Sequence, residues 1–348
     1  MTRRRAGLHP GTAPGGGAVA CVVLNPSKPA VTPAVRAHLA RALSAAGYAS
    51  PVWMETTPTE TGATQARLAL ASGASLVVAV GGDGTVRSVA AGLAGAQADM
   101  AIVPLGTANL AARNLGVPVG RPAEAIELAA HGAALATDLA WVSTEPGEDS
   151  PAPPGGWARP TLGAEHACMI VAGLGFDAGL VASTRPALKA RIKWGAYALA
   201  AFQNLSSPRM ELVLGLEAED DPHRVERLRA RCLLIANGGR LPAGITLLPG
   251  ARMDDGVLDV AAIDTVAGVV GWSSLARQVL APRTSVPRTV QDDRLLRPTG
   301  RVLRRLGRTV TVRLAEPALV QVDGDLLAPT RGVRVRLQPG ALRIRRPA

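Results

Sequence analysis

Short apolar runs recur through the first 142 positions, each followed by a turn and then a stretch with helical spacing. The run 19–24 precedes a helical pattern at 33–46, and 51–54 precedes 62–72. The run 76–80 leads to 86–95, and 100–103 leads to 107–115 and a shorter helix at 121–131. Alternation of this kind predicts a parallel sheet with helices on both faces, an α/β domain spanning residues 18–142. Proline and glycine then dominate residues 143–160, which read as a linker or an inserted loop. Beyond it the pattern changes to spaced strands at 166–173, 209–216, 228–237, 256–263, 309–314, 318–323 and 332–337, interrupted by one helical region near 185–205. That spacing predicts an antiparallel β-sandwich over 161–330, with residues 331–348 as terminal strands that return toward the first domain. Residues 1–17 carry Arg3, Arg4 and Arg5 followed by proline and glycine rather than an apolar core. They read as a disordered leader, not a signal peptide.

The strand ends carry the chemistry. Gly81-Gly82-Asp83-Gly84-Thr85 lies between an apolar strand and a helix start. Glycines let the backbone approach an anion, and a helix N-terminus offers free N–H groups and partial positive charge. Asp83 is the odd member, because a carboxylate beside polyphosphate is repelled unless a cation such as Mg²⁺ lies between them. The turn is not a Walker A loop, which needs Gly-Lys-Ser/Thr, and it lacks the third glycine of a dinucleotide fingerprint. It points to a nucleotide with metal, and to phosphoryl transfer. A second glycine turn, Pro104-Leu105-Gly106-Thr107-Ala108-Asn109, follows the next strand, and Asn25-Pro26-Ser27 ends the first. Turns at neighbouring strand ends face one crevice in an open α/β sheet. Thr56 falls on the same edge. Read as local structure alone, Asp83 is a helix cap, and Asp255-Gly256 and Asp323-Gly324 are hairpin turns.

With Pro104-Leu105-Gly106-Thr107-x-Asn109-x-x-Ala112-Arg113, Gly173-Leu174-Gly175-Phe176-Asp177-Ala178, Asp254-Asp255-Gly256-Val257-Leu258-Asp259 and Val322-Asp323-Gly324-Asp325 in the same order, the chain resembles the diacylglycerol kinase catalytic-domain family, which includes bacterial lipid kinases and sphingosine kinases. Gly-Gly-Asp-Gly-Thr is shared with the more distant NAD kinases. The resemblance covers about residues 19–343. It implies a Rossmann-like α/β domain and a β-sandwich domain with nucleotide in the cleft between them. It also implies an ATP- and Mg²⁺-dependent kinase whose acceptor is a hydroxyl of a diacylglycerol-like or long-chain lipid. In that plan Asn25, Pro26, Ser27, Thr56, Gly81, Gly82, Asp83, Gly84, Thr85, Gly106, Thr107 and Asn109 line the nucleotide. Asp83 arranges Mg²⁺·ATP, and Asp255 with the carbonyls of Arg252 and Val257 holds a structural Mg²⁺. Asp177 lies near the lipid head group, and Asp325 is the general base. Three departures stand out: Asp325 replaces the usual glutamate and is one methylene shorter, Leu110 replaces an aspartate, and Ser88 replaces a glutamate. Asp138 is left as a further acid of the Mg²⁺ network. The lost carboxylates keep two other functions open, a soluble-substrate kinase of the NAD-kinase kind and a silent nucleotide- or lipid-binding protein.

Bulk properties narrow the partners. The chain of 348 residues is 47% apolar, yet the best membrane candidate, 257–281, is broken by Asp259, Asp264 and Arg277. No membrane span is expected. Three cysteines without paired spacing predict buried reduced thiols and a cytoplasmic chain, and the five histidines have no zinc-ligand spacing. The net charge of +11 is concentrated, since ten arginines between positions 277 and 313 face only Asp292 and Asp293. Arg185, Lys189, Arg191 and Lys193 form a second cluster beside Leu188, Ile192, Trp194, Tyr197 and Phe202. Basic segments of this kind hold an anionic membrane at about 1 kcal/mol per charge. The expected partner is therefore lipid at the inner membrane face, bound peripherally. No nucleic acid is expected, because stacking aromatics are scarce. A homodimer is compatible with the sequence.

Overall fold

The computed structural model describes residues 17–145, 151–152, 156–175, 209–218, 221, 223–240, 248, 250–265 and 300–347. Asp177, the helical region near 185–205 and most of the arginine-rich stretch lie outside the described residues.

The first unit alternates β1 (Ala20–Leu24), α1 (Pro33–Ala45), β2 (Val52–Glu55), α2 (Ala63–Ala71), β3 (Leu76–Gly81), α3 (Asp83–Leu93), β4 (Asp99–Pro104), α4 (Leu110–Asn114) and α5 (Pro122–His131). Its strands pair in parallel in the order β2-β1-β3-β4. The strands are continuous apolar runs because both faces are covered. Cys21, Val23, Val77, Ala79, Met100 and Ile102 pack with α2, α3 and α4 on one face. Ala20, Val22, Leu24, Val78, Val80 and Val103 pack with α1 and α5 on the other. Each fully buried Val or Leu stabilises this layer by roughly 1.5–3 kcal/mol. Helix α1 begins where Thr32 accepts the N–H of Val35 at 3.3 Å and Pro33 takes the first helical position.

The second unit is antiparallel: β5 (Ala134–Thr144), β6 (His166–Cys168), β7 (Val171–Gly175), β8 (Met210–Glu217), β9 (Arg224–Ala230), β10 (Cys232–Ala236), β11 (Leu258–Thr265), β12 (Gly300–Gly307), β13 (Thr309–Val322) and β14 (Asp325–Arg345). Its strands run β12-β11-β10-β7-β13-β14, with β8 on the first part of β13 and β9 on β8, and with β5 on β14 and β6 on β5. Alternate residues of β5, β7, β8, β10, β11, β13 and β14 close an apolar core of their own. Strands β5 and β12 stand where the apolar pattern had predicted none, and β14 is far longer than the predicted 332–337. Cys21, Cys168 and Cys232 are buried, and none is in a disulfide among the described residues.

The two units share a sheet. The end of β14 pairs in parallel with β4 through Arg343↔Asp99 and Ile344↔Met100. Asp99 bonds Arg343 at 3.1 Å and Arg345 at 3.3 Å, and Arg345 also reaches Tyr48 Oη at 2.6 Å and the α5 carbonyl of Ala130 at 2.7 Å. Asp138, buried on β5, ties segments within the second unit. Its carboxylate accepts the N–H of Gly256 at 2.8 Å and that of Gly340 at 2.7 Å. Among the described residues no helix is long and apolar enough to cross a membrane.

Replacing Asp138 by alanine strands two backbone donors in the interior. Denaturant unfolding of Asp138→Ala is expected to show a loss of about 2–4 kcal/mol.

Candidate functional site

The site begins with strand register. Gly81 at the end of β3 lies beside Pro104 at the end of β4, so the two glycine turns emerge side by side. They touch through backbone: a Cβ on Gly106 would sit 2.5 Å from Gly82 Cα. Only glycine fits there. Asn109 locks the second turn, accepting the Gly106 N–H at 2.9 Å and donating back to the Gly106 carbonyl at 2.8 Å. It is buried at φ 49°, the left-handed conformation that asparagine tolerates. Its amide is therefore spent on the loop, while Thr107 is exposed at the turn's surface. Helix α4 starts at Leu110, three residues later than the sequence pattern predicts, because Asn109 is the cap.

Helix α3 starts earlier than its apolar pattern, at Asp83 itself. Gly82 is extended and serves as the cap. The Asp83 carboxylate accepts the N–H of Ala111 at 3.2 Å, so it caps α4 from outside. Burial pushes the Asp83 carboxyl above the usual range; the α4 backbone partly opposes this, and the Asp323 charge adds to it. Asn25 accepts from Ser27 N–H at 3.0 Å and Ser27 Oγ at 2.7 Å, and its amide reaches Thr85 Oγ1 at 3.4 Å. Pro26 is exposed between them. Thr56 is buried, its N–H bonded to Leu24 O at 2.9 Å. Gly84 stands exposed on the first turn of α3. Lys28 closes the Asn25-Pro26-Ser27 stretch, and its place in the sequence assigned it no role of its own. It is distant in sequence from the first glycine turn, yet its Cε lies 3.7 Å from where a Gly82 Cβ would be.

Across this crevice stands the β13–β14 turn. Asp323, at φ 49°, accepts the N–H groups of Met169 at 2.8 Å, Ile170 at 2.9 Å and Val171 at 3.0 Å. Arg87, one helical turn beyond Asp83 and on the same face of α3, donates to the Val322 carbonyl at 2.8 Å and to the Asp325 carboxylate. Burial alone would lower the Arg87 pKa, and Asp325 and Asp323 more than offset it. His166 is buried beside this group, and desolvation together with the Arg87 charge lowers it to about 4. Neither Arg87 nor His166 carried a motif, and their partners are far away in sequence.

The acidic turn near 255 is held from several sides. Asp255 accepts the Val257 N–H at 3.2 Å, and Asp254 is clamped by Arg252 at 2.9 Å and Arg346 at 2.7 Å, which keep its carboxyl at about 2. Among the described residues no three His, Cys, Asp or Glu side chains come together as a metal cluster. A hard cation there would rest on Asp255 with carbonyl and water oxygens, an all-oxygen donor set of the kind Mg²⁺ takes when it keeps several waters. Asp138 does not join the Asp83 network; both its oxygens serve the Gly256 and Gly340 backbone. Leu110 and Ser88 are buried, with Ser88 Oγ 2.7 Å from Thr61 Oγ1. A separate groove of about 1080 Å³, walled by Leu212, Leu228, Leu303 and Leu314 with the Arg305–Glu226 pair, contains none of the expected site residues.

A parallel α/β unit whose glycine turns face an acidic turn of a β-sandwich defines a kinase of the diacylglycerol kinase class. Residues 19–142 match the diacylglycerol kinase catalytic domain, and 168–346 match the YegS C-terminal NAD kinase beta sandwich-like domain. The chain belongs to the YegS-like lipid kinase family. It is 32% identical over 292 residues to a Pseudomonas aeruginosa protein named "Probable lipid kinase YegS-like", covering 80% of this chain and 79% of that one. A Pseudomonas putida protein of the same name is 30% identical over 286 residues, 80% of each chain. A solved Bacillus anthracis structure described as a diacylglycerol kinase has the same fold at 18% identity, with TM-score 0.65 over 95% of this chain and 97% of that one. Another from that organism reaches TM-score 0.71 at 19% identity, over 98% and 99%.

Gly106→Ala is expected to force the glycine turns apart and lower stability by about 1–3 kcal/mol, read as a fall in Tm. His166 adds a pH dependence. The folded chain keeps it neutral down to about pH 4, while the unfolded chain protonates near 6.5. Stability therefore falls as pH drops between those values. Equilibrium unfolding of His166→Gln across that window should lack roughly 3 kcal/mol of the decline.

Proposed function

We propose that the chain is an ATP- and Mg²⁺-dependent kinase that transfers the γ-phosphoryl group to a hydroxyl of a diacylglycerol-like or long-chain lipid. The observation that supports this most is the single face of α3 that carries Asp83 beside the glycine turns and Arg87 against the turn that bears Asp325. Phosphate-side, polar-side and acceptor-side groups thereby share one crevice.

In this reading the backbone of Gly82, Gly84 and Gly106 cradles the triphosphate, and Lys28 adds the positive charge that the glycine turn itself lacks. The bound Mg²⁺ would supply the charge neutralisation that lets triphosphate lie next to Asp83. Asp83 is already oriented for this by the α4 N-terminus. Asp325 takes the proton of the acceptor hydroxyl as that oxygen bonds to the γ-phosphorus and the bond to the departing ADP oxygen breaks. A side chain of aspartate length demands that the acceptor come close to the β13–β14 turn. A second, structural Mg²⁺ on Asp255 and the carbonyls of Arg252 and Val257, and a head-group role for Asp177, remain part of the proposal. So does peripheral contact with an anionic membrane, although Arg305 and Arg313 of the basic stretch are paired with Glu226 and Glu145.

The test is phosphorylation of a lipid extract with labelled ATP, with NAD as a parallel acceptor and mass identification of the product. Lipid product formed only with Mg²⁺ is expected. Asp325→Asn and Asp83→Asn should each lower kcat/KM by about 100-fold or more. Label on NAD instead of lipid, or ATP binding without turnover on any extract, would replace the reading by one of its two alternatives.

A further inference from the structure

Arg87 has a geometry that its position in the helix does not explain. It is the fifth residue of α3, its side chain is 12% exposed, and it leaves its own helix to reach a turn 238 residues away. An arginine at such a place ordinarily faces solvent or pairs along its own helix. Here one terminal nitrogen holds the Val322 carbonyl at 2.8 Å and the other holds Oδ2 of Asp325. Both ends of the Asp323-Gly324 turn are therefore attached to one guanidinium. Its Nε has no partner, so the cation is committed wholly to that turn among the described residues.

The carboxylate is divided in consequence. Oδ2 of Asp325 is bound by Arg87, while Oδ1 accepts no hydrogen bond among the described residues, and the side chain is 51% exposed. A short, half-exposed acid would otherwise sample several rotamers. Held by one oxygen, it presents the other in a fixed direction. The charged and titratable groups grouped with it are Arg87 and Asp83 from α3, Asp323 from the turn, and His166 and Cys168 from β6. Arg87 is the one cation among them when His166 is neutral.

We propose that Arg87 is a positioning residue for Asp325, a bidentate clamp across the domain boundary that fixes the β13–β14 turn and aims the free carboxylate oxygen at the acceptor hydroxyl. The inference rests on the lipid kinase reading, and it names a residue whose partner is specific to this chain's aspartate. Lysine, a point charge without a planar fork, cannot hold both the carbonyl and the carboxylate in that arrangement.

The experiment combines kinetics with a structural readout that needs no turnover. In protein labelled at the aspartate side-chain carbon, the Asp325 carboxylate resonance is assigned by its loss in Asp325→Asn and compared at one pH in wild type, Arg87→Gln and Arg87→Lys. The resonance should move in both variants, because each loses or alters the hydrogen bond to Oδ2. In lipid phosphorylation, Arg87→Gln should lower kcat by about tenfold or more with KM for ATP within about twofold. In the Asp325→Asn background the same substitution should have little further effect on kcat. If Arg87→Gln fails to fold, Arg87→Lys carries the test with the same signs. An Asp325 resonance that neither variant moves overturns the clamp. So does a loss of kcat that is additive with that of Asp325→Asn, because that marks a merely structural arginine. If the resonance moves as expected but the wild-type protein phosphorylates no lipid, the kinase reading is overturned, and the positioning role falls with it while the ion pair stands.

Discussion

The architecture depends on a strand that belongs to both halves. β14 opens at Asp325 in the crevice and ends 20 residues later in a parallel pairing with β4, where Asp99 gathers Arg343 and Arg345. Backbone pairing at one end thereby sets the distance between glycine turns and acidic turn at the other. β5 lies antiparallel along most of the same strand, which stiffens it. A cleft lined by two independently folded units would open freely; here a continuous ladder runs behind it.

Within the crevice the carboxylates are handled in different ways. Asp323 is half-buried, accepts three backbone N–H groups and serves the fold. Asp83 leans on the start of α4 and carries a raised pKa, so it has both a structural partner and the electrostatic pressure that a cation relieves. Asp325 is bound on one oxygen only and remains half exposed. Exposure and donor count distinguish the three more clearly than residue type does, since all three are aspartates.

Much of this was legible in the sequence where the signal was local. The Gly81–Thr85 and Pro104–Asn109 turns announce themselves because glycine and strand-end position act over a few residues, and the change from alternating helices to spaced strands marks the second unit. β5 went unseen because Ala134-Leu135-Ala136-Thr137-Asp138 alternates small residues with weakly apolar ones, and β12 was hidden by its arginines. The capping of α4 by Asp83, the backbone donors around Asp323 and the reach of Arg87 were not readable. Each joins groups that only the folded topology brings together. Membership of the YegS-like lipid kinase family agrees with the ordered motifs, while the acceptor lipid is written in groups whose spacing the sequence does not encode.

The shared strand has an evolutionary and practical corollary. Cutting the polypeptide after the first α/β unit would leave β4 as a bare edge with unpaired amides and carbonyls, a template for intermolecular association. The segments matching the two family models therefore do not behave as exchangeable cassettes, since the last residues of one complete the hydrogen bonding of the other. Recombination that swaps the sandwich for a relative's must carry a compatible carboxy-terminal tail, and any tag placed there sits at the seam between halves.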